Sequence, residues 1–358
     1  MSGESSRKLP LGLKNLGQNV CFFNSVIQAL YSVDDLRKLV FQFNVNKNDS
    51  PAKFAMKELF TSMTLSDIPI ETYHLIPSFN LLDYNHARFE QFDAQEFLIR
   101  VLDQILPIKE DESIFTTSVF ESVLCKQCKK VSERTIYEPV CQIKFAQPFN
   151  NSIENLISKL VNDPYGEPLD ELYHCSNCPV RTNAIKSRTL FHISDYLIVS
   201  LGMFSYDRIN LTSRKLVPDV KIEAEFENVL LGTVSLQAIV FHHGDAANSG
   251  HYTSAVKYGQ IWYSINDDKV SRIDNPDFNC RVKDDIVPYL LIYKKSNKQA
   301  ISHQSIPNLN APTTQPKGNH NIPETHIMEH ESTSETRKRK KSMRPKTNRK
   351  KKSSACTQ

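Results

Sequence analysis

Apolar positions change their spacing about a third of the way along the chain. The segment Cys21–Tyr31, CFFNSVIQALY, is a dense apolar run with few turn residues, which predicts a helix buried on most of its surface, with a cysteine as its first residue. A second helix is expected around Phe54–Phe60. A third runs from Phe92 to about Leu106, with Phe97, Leu98, Val101, Leu102 and Ile105 on one stripe and Pro107 as its stop. Residues 61–90 between them read as irregular. From Ser113 to Ile143 the pattern turns to strands, interrupted by the turn-like CKQCKK, and IENLISKLV at 153–161 suits a short amphipathic helix.

Beyond it the segments TLFHISDYLIVSLGMF, KLVPDVKIEAEF and TVSLQAIVFHH are rich in β-branched and aromatic residues and predict sheet. HYTSAVKY, QIWYSI and PYLLIYK continue it, with YGQ and NDDK as turns and HHGDAANSG as a mobile loop. Helices come first and strands later, the order of an α+β fold.

Residues 1–10 read as a disordered leader and 11–295 as the folded region. Residues 296–358 lose apolar periodicity and become rich in Ser, Thr, Pro, Asn and Lys, the composition of a disordered tail. The formal charge of +4 conceals an asymmetry, because 13 basic and 4 acidic residues follow Lys295, against 31 and 36 before it. An acidic body by itself does not suggest nucleic acid. No stretch has the length of a signal-peptide core or of a membrane span, so a soluble protein without membrane association is expected.

Catalytic chemistry is suggested first at Cys21. The start of a helix favours a thiolate through unpaired N–H groups and the positive end of the dipole. The preceding NLGQN holds a glycine and two asparagines, residues that allow tight or left-handed turns into the helix. Taken alone, a cysteine heading an apolar helix is more often a buried small hydrophobe, so a partner has to be found. The candidate base is His251 in NSGHYTS, at the start of a strand, and its distance in sequence from Cys21 is no obstacle. In WYSINDDKV, Asn266 or Asp267 stands at the end of the next strand, within reach to orient the imidazole.

Eight cysteines in 358 residues are too sparse for a secreted disulfide scaffold. Four of them, Cys125, Cys128, Cys175 and Cys178, form Cys-x-x-Cys, 46 residues, Cys-x-x-Cys. Two such knuckles supply four thiolates to a tetrahedral Zn²⁺, a structural site because no position is left for water. His174 is a nearby extra donor that the set does not need; Cys141 reads as buried in a strand.

GLKNLGQNVCFFNSVIQAL resembles the cysteine box of the ubiquitin-specific proteases, and GHYTSAVKYGQIWYSINDDKV followed by PYLLIYK resembles their histidine box. QFDAQEFLIRVLD is similar to the glutamine and aspartate segment between them. The resemblance implies a papain-like cysteine protease core with thumb and palm, plus zinc-ribbon fingers at roughly 110–230. It also implies hydrolysis at the carboxyl-terminal glycine of ubiquitin, with ubiquitin and ubiquitinated proteins as partners. Matched residue by residue, Cys21 is the nucleophile, His251 the base, Asn266 the orienting group, and Asp267 the acidic neighbour that in some members supports the oxyanion network. Asp93 and Glu96 match acidic contacts to the ubiquitin tail; Gly250 and Tyr252 shape the cleft floor.

The chain departs from the family at one point. Gln18 adds a residue, so Asn15 lies six positions before Cys21 rather than five, and Asn15, Gln18 or Asn19 is left as the oxyanion donor. A ubiquitin-like modifier as substrate and a weakly active ubiquitin-binding scaffold are the alternatives. RKRKK at 337–341 and NRKKK at 348–352 suggest a nuclear import receptor as partner, hence a nuclear rather than cytoplasmic protein, or salt-sensitive contact with nucleic acid or chromatin.

Overall fold

The computed structural model describes residues 10–296 apart from 18, 47, 49, 81–91, 107–112, 145–150, 163–165, 170, 208–211, 216, 218, 247–248, 275 and 282–284. Gln18, the leader and the basic tail therefore lie outside the described residues. The described residues belong to one compact unit.

The chain enters through β1 (Leu13–Lys14) and then α1 (Cys21–Tyr31), where the expected helix appears and ten of its eleven residues are buried. Next comes α2 (Asp34–Gln42), which the pattern did not announce because only Leu36 and Val40 bury. The helix expected at Phe54–Phe60 is longer: α3 spans Pro51–Leu65, opened by Pro51 in its first turn, where a missing N–H costs nothing. The stretch read as irregular thus begins with helix; it also holds β2 (Ile70–Glu71), parallel to β1, and a 3-10 helix over Tyr73–Phe79. α4 (Ala94–Ile105) buries the predicted stripe. Phe22 and Phe23 of α1 pack on Phe97 of α4 with ring centroids 5.4 and 5.0 Å apart.

Two sheets follow. β3 (Thr117–Cys125), β4 (Val131–Glu138), β7 (Glu167–Pro168) and β8 (Ala184–Ile193) form a four-stranded sheet in the order β4-β3-β8-β7. β6 (Asn151–Ser152) and α5 (Ile153–Asn162) lie between β5 (Cys141–Lys144) and β7. β9 (Tyr196–Gly202), β10 (Phe204–Asp207), β11 (Thr212–Lys215), β12 (Val220–Lys221), β13 (Glu225–Asn228), β14 (Gly232–Ala246), β15 (Ser249–Tyr258), β16 (Ile261–Asn266), β17 (Lys269–Ile273) and β18 (Ile286–Lys295) complete the chain.

The large sheet runs β17-β16-β15-β14-β18-β9-β5, with β13 also on β14, and α1 packs across β15. β10 pairs with β11, and β12 with β6. The finger-like sheet therefore ends at Ile193, short of the expected boundary near 230: β9 and β13 belong to the large sheet, and the six residues Tyr196–Leu201 are all buried. HHGDAANSG is likewise corrected. His242 and His243 pair with Tyr252 and His251, so the segment is two arms of the β14–β15 hairpin, with only 247–248 undescribed between them. No described helix is long and apolar enough to cross a membrane.

Candidate active site

The loop before α1 contains two left-handed residues, Gly17 at φ +77° and Asn19 at φ +54°, the conformations its Gly and Asn residues permit. Val20, at the N-cap of α1, makes no side-chain cap hydrogen bond. Cys21 is the first residue of that helix and is 2% exposed.

His251 lies on β15, the strand against which α1 packs. Its Nε2 is 2.7 Å from Oδ1 of Asn266, the last residue of the neighbouring strand β16. An amide oxygen only accepts, so this contact places the proton on Nε2 and leaves Nδ1 as the basic nitrogen. A hydrogen bond with the Cys21 side chain is the largest cause of a His251 pKa pushed up to about 9, burial opposes it, and Asn266 and Asp267 add to it. The structure therefore brings together Cys21, His251 and Asn266, and of the two adjacent polar residues it is Asn266 that touches the imidazole.

Asp267 faces the other way. It occupies the turn after β16 at φ +52°, and its backbone oxygen accepts from Leu13 N at 2.9 Å. Its carboxylate accepts from Asn15 Nδ2 at 3.0 Å and from Asn24 Nδ2 at 2.8 Å. Asn24 sits one turn into α1, 1% exposed; it also reaches Leu13 O and Lys14 O at 3.3 Å each and takes a hydrogen bond from Thr72. Sequence reasoning passed over Asn24. Its signal was an amide at the fourth position of a mostly apolar helix, shared with Gln28 one turn on, where burial demands a partner. Asn15 is thus tied to the site by Asp267; Asn19, also expected near the oxyanion position, is exposed.

Asp93 is the N-cap of α4, just outside the helix. Oδ1 accepts from Gln95 N and Glu96 N at 2.8 and 3.0 Å, and Oδ2 accepts from Tyr289 Oη at 2.6 Å. Glu96 is exposed and pairs with Arg100 at 2.5 Å. Burial pushes the Tyr289 hydroxyl pKa up, with the charge and hydrogen bond of Asp93 and then Glu96 adding to it.

Tyr252 is fully covered, its ring 5.0 Å from His242 and 6.0 Å from Tyr289. Gly250 has φ +146°, and a Cβ there would fall 2.1 Å from His243 O, so no other residue fits without moving the hairpin.

At the tip of the four-stranded sheet the Sγ atoms of Cys125, Cys128, Cys175 and Cys178 lie within 4.8 Å of one another. Cys125 and Cys178 are 3.8 Å apart, Cys128 and Cys175 3.5 Å. Four thiolates about 2.3 Å from one Zn²⁺ at tetrahedral corners would be about 3.8 Å apart, so the set fits a metal ion. These separations far exceed a disulfide bond of about 2.05 Å. Each knuckle is a tight turn: Lys129 N donates to Cys125 O with Lys129 at φ +62°, and Cys178 N donates to Cys175 O. His174 is exposed and outside the cluster; Cys141 is buried in β5.

Several relatives resemble this chain. Ubiquitin carboxyl-terminal hydrolase 23 of Arabidopsis thaliana is 24% identical over 84% of this chain and 37% of its own length. Ubiquitin carboxyl-terminal hydrolase 20 of the same plant is 26% identical over 74% of this chain and 41% of its own. Ubiquitin carboxyl-terminal hydrolase 42 of Homo sapiens is 26% identical over 76% and 22%. The chain thus spans less than half the length of these relatives. The family described as ubiquitin carboxyl-terminal hydrolase matches residues 11–293, from the strand before α1 through the cysteine-tipped sheet to the last strand of the large sheet, and the chain belongs to that family.

Proposed function

We propose that this protein is a deubiquitinating cysteine peptidase that hydrolyses the isopeptide or peptide bond at the carboxyl-terminal glycine of ubiquitin. The observation that carries this reading is Cys21 at a buried helix start, bonded to an imidazole whose other nitrogen is held by Asn266. Nδ1 of His251 takes the Cys21 proton, and the thiolate attacks the glycine carbonyl. The imidazolium then protonates the leaving lysine amine, and water, deprotonated by the same ring, hydrolyses the thioester. Asn266 keeps the ring in one tautomer throughout; being neutral, it stabilises imidazolium less than a carboxylate does.

The developing oxyanion meets backbone N–H groups of the first turn of α1 and the amide of Asn15, which Asp267 fixes in place. Gly250 keeps the groove narrow enough for a glycine-ended tail, and Glu96 offers a carboxylate to the tail's arginines. Asp93 supports that groove from beneath through Tyr289 and the helix cap. Cys125, Cys128, Cys175 and Cys178 hold a structural Zn²⁺, which locks the tip of the fingers against which ubiquitin rests.

The basic clusters at 337–341 and 348–352 direct the protein to the nucleus through an import receptor, with contact to nucleic acid as the second role of the same charges. The test of the catalytic reading is incubation with ubiquitin carrying a carboxyl-terminal electrophile, followed by peptide mass mapping. An adduct on Cys21 is expected. Absence of any adduct from the folded protein would overturn the reading.

A further inference from the structure

Asn266 holds Nε2 of His251 and Cys21 is its other hydrogen-bond partner, and hydrogen bonds to imidazole nitrogens are made in the plane of the ring. Two in-plane tethers leave an imidazole free to rock about the line that joins them. A ring that must deliver its proton first to one atom and then to another needs support on a face, because small misplacements of a reacting group are costly.

That support stands directly across the hairpin. His243 on β14 is the cross-strand partner of His251 on β15, with ring centroids 5.5 Å apart and planes at 65°, an edge-to-face arrangement. His243 is itself tethered: its Nε2 is 2.8 Å from Oγ1 of Thr253, a residue 8% exposed and two positions beyond His251 on the same strand. The contact sits where the β14–β15 register shifts, between His243 and Ala246, and a bulge re-aims the side chains beside it. Gly250 closes the geometry from behind, since its missing Cβ is what lets the backbone of His243 come so near.

We propose that His243 is a positioning residue for the hydrolytic reaction: tethered to Thr253, its ring packs edge-to-face on His251 and keeps that imidazole on the line between Cys21 and Asn266. The role rests on the function proposed above. His243 suits it because it carries no charge beside the imidazolium. Burial pushes its pKa down to about 4, and His251 and Lys215 push the same way. The other titratable neighbour, His242 on the same strand, is also driven down to about 4, by burial first and then by Lys215 and His243. One imidazolium is therefore expected in the group, on His251.

The experiment compares His243→Ala, His243→Phe and Thr253→Val in the full chain. Phe keeps an edge-to-face ring and loses both nitrogens and with them the tether; Val keeps the shape of the strand and the His243 ring and loses the tether alone. With a fluorogenic ubiquitin amide, His243→Ala is expected to lower kcat by about threefold to tenfold, the size of one aromatic contact, at unchanged KM. His243→Phe, which keeps the ring contact but loses the Thr253 tether with its nitrogens, should recover to the level of Thr253→Val, about twofold to threefold below the parent and clearly above Ala. A second readout needs no ubiquitin: the pH dependence of Cys21 alkylation by chloroacetamide, followed by mass mapping of its peptide. In His243→Ala the profile should separate from the parent's, because the ring that takes the thiol proton is no longer held, and in His243→Phe it should lie close to that of Thr253→Val.

An Ala variant with parental kcat and parental alkylation would overturn the proposal, as would a Phe variant that melts like the parent yet is as impaired as Ala. If Ala does not fold, a parental Thr253→Val overturns it in the same way. A parent chain that releases no ubiquitin while its alkylation profiles separate as described refutes the deubiquitinating function and leaves the positioning role standing.

Discussion

Asp267→Asn separates two parts of the site that adjacent residues hold. The parent carboxylate accepts one amide hydrogen bond on each oxygen, from Asn15 at 3.0 Å and from Asn24 at 2.8 Å. Asparagine has nearly the same shape and tolerates the left-handed φ of +52°, so the backbone is not strained. It can satisfy one amide with its oxygen, but its own N–H₂ then faces the other, and charge assistance is lost from both bonds.

At about 1.5–3 kcal/mol for each charge-assisted bond, of which one survives as a neutral bond, the expected destabilisation is about 2–4 kcal/mol. Asn24 retains Leu13 O and Lys14 O as acceptors, so the amide left loose is that of Asn15. Complete loss of an oxyanion donor typically costs about 100- to 1000-fold in kcat. A displaced donor is expected to cost about 10- to 100-fold. Two assays on the same folded variant test this: hydrolysis of a ubiquitin amide, which builds an oxyanion, and alkylation of Cys21 by a ubiquitin-linked alkyl halide, which does not. Hydrolysis should fall while alkylation stays within about threefold. A parallel fall in both would place Asp267 on the Cys21–His251 pair instead, and no fall in either would remove Asn15 from the oxyanion site.

The raised His251 pKa carries a pH signature. A histidine moved from 6.5 up to about 9 adds stability that is fully present below pH 6.5 and is lost as pH rises through 9. Partial solvent exposure of the ring leaves this of order 1 kcal/mol. Because Cys21 is the largest cause, Cys21→Ala should melt below the parent at pH 6 and converge with it above pH 9.5; a gap that widens with pH would contradict the assignment. Metal analysis should find about one Zn²⁺ per chain, and Cys125→Ser should reduce it and lower the melting temperature. A metal-free protein of undiminished stability would exclude the site. Deleting residues 333–358 should leave ubiquitin amide hydrolysis nearly unchanged and shift a tagged protein from nucleus to cytoplasm, and identical distributions would refute import through the tail.

What could be read from the sequence was what local pattern determines. The burial of α1, the stripe of α4, the knuckles and most strands follow from apolar spacing and turn residues, and all appear where expected. α2 did not, because two buried residues make too faint a stripe. His242 and His243 stood at the end of an expected strand and at the start of an expected loop, because histidine and the following glycine carry no strand signal; their place in the strand is set by pairing to Tyr252 and His251, which only the folded chain provides. The candidate site was legible in its Cys, His and Asn members through the resemblance of their boxes. Its supports were not. Asn24, Tyr289 and His243 act through partners on other elements, up to 243 residues away for Asn24 and Asp267, and no local rule connects such distances.

The turn after β16 has a consequence for which length changes the chain can absorb. Asn266 and Asp267 are consecutive, yet one grips the general base and the other the segment leading to the nucleophile, by side chain to Asn15 and by backbone to Leu13. A residue inserted between them would break the alignment of both walls at once, so this turn should be intolerant of any indel. The stretch from Asn15 to Cys21 is the opposite case. Each end is anchored independently, one on Asp267 and the other in the helix, so an added residue lies between two fixed posts and need not displace either. That is how a stretch that sets Asn15 six positions before Cys21 can keep both residues at the site.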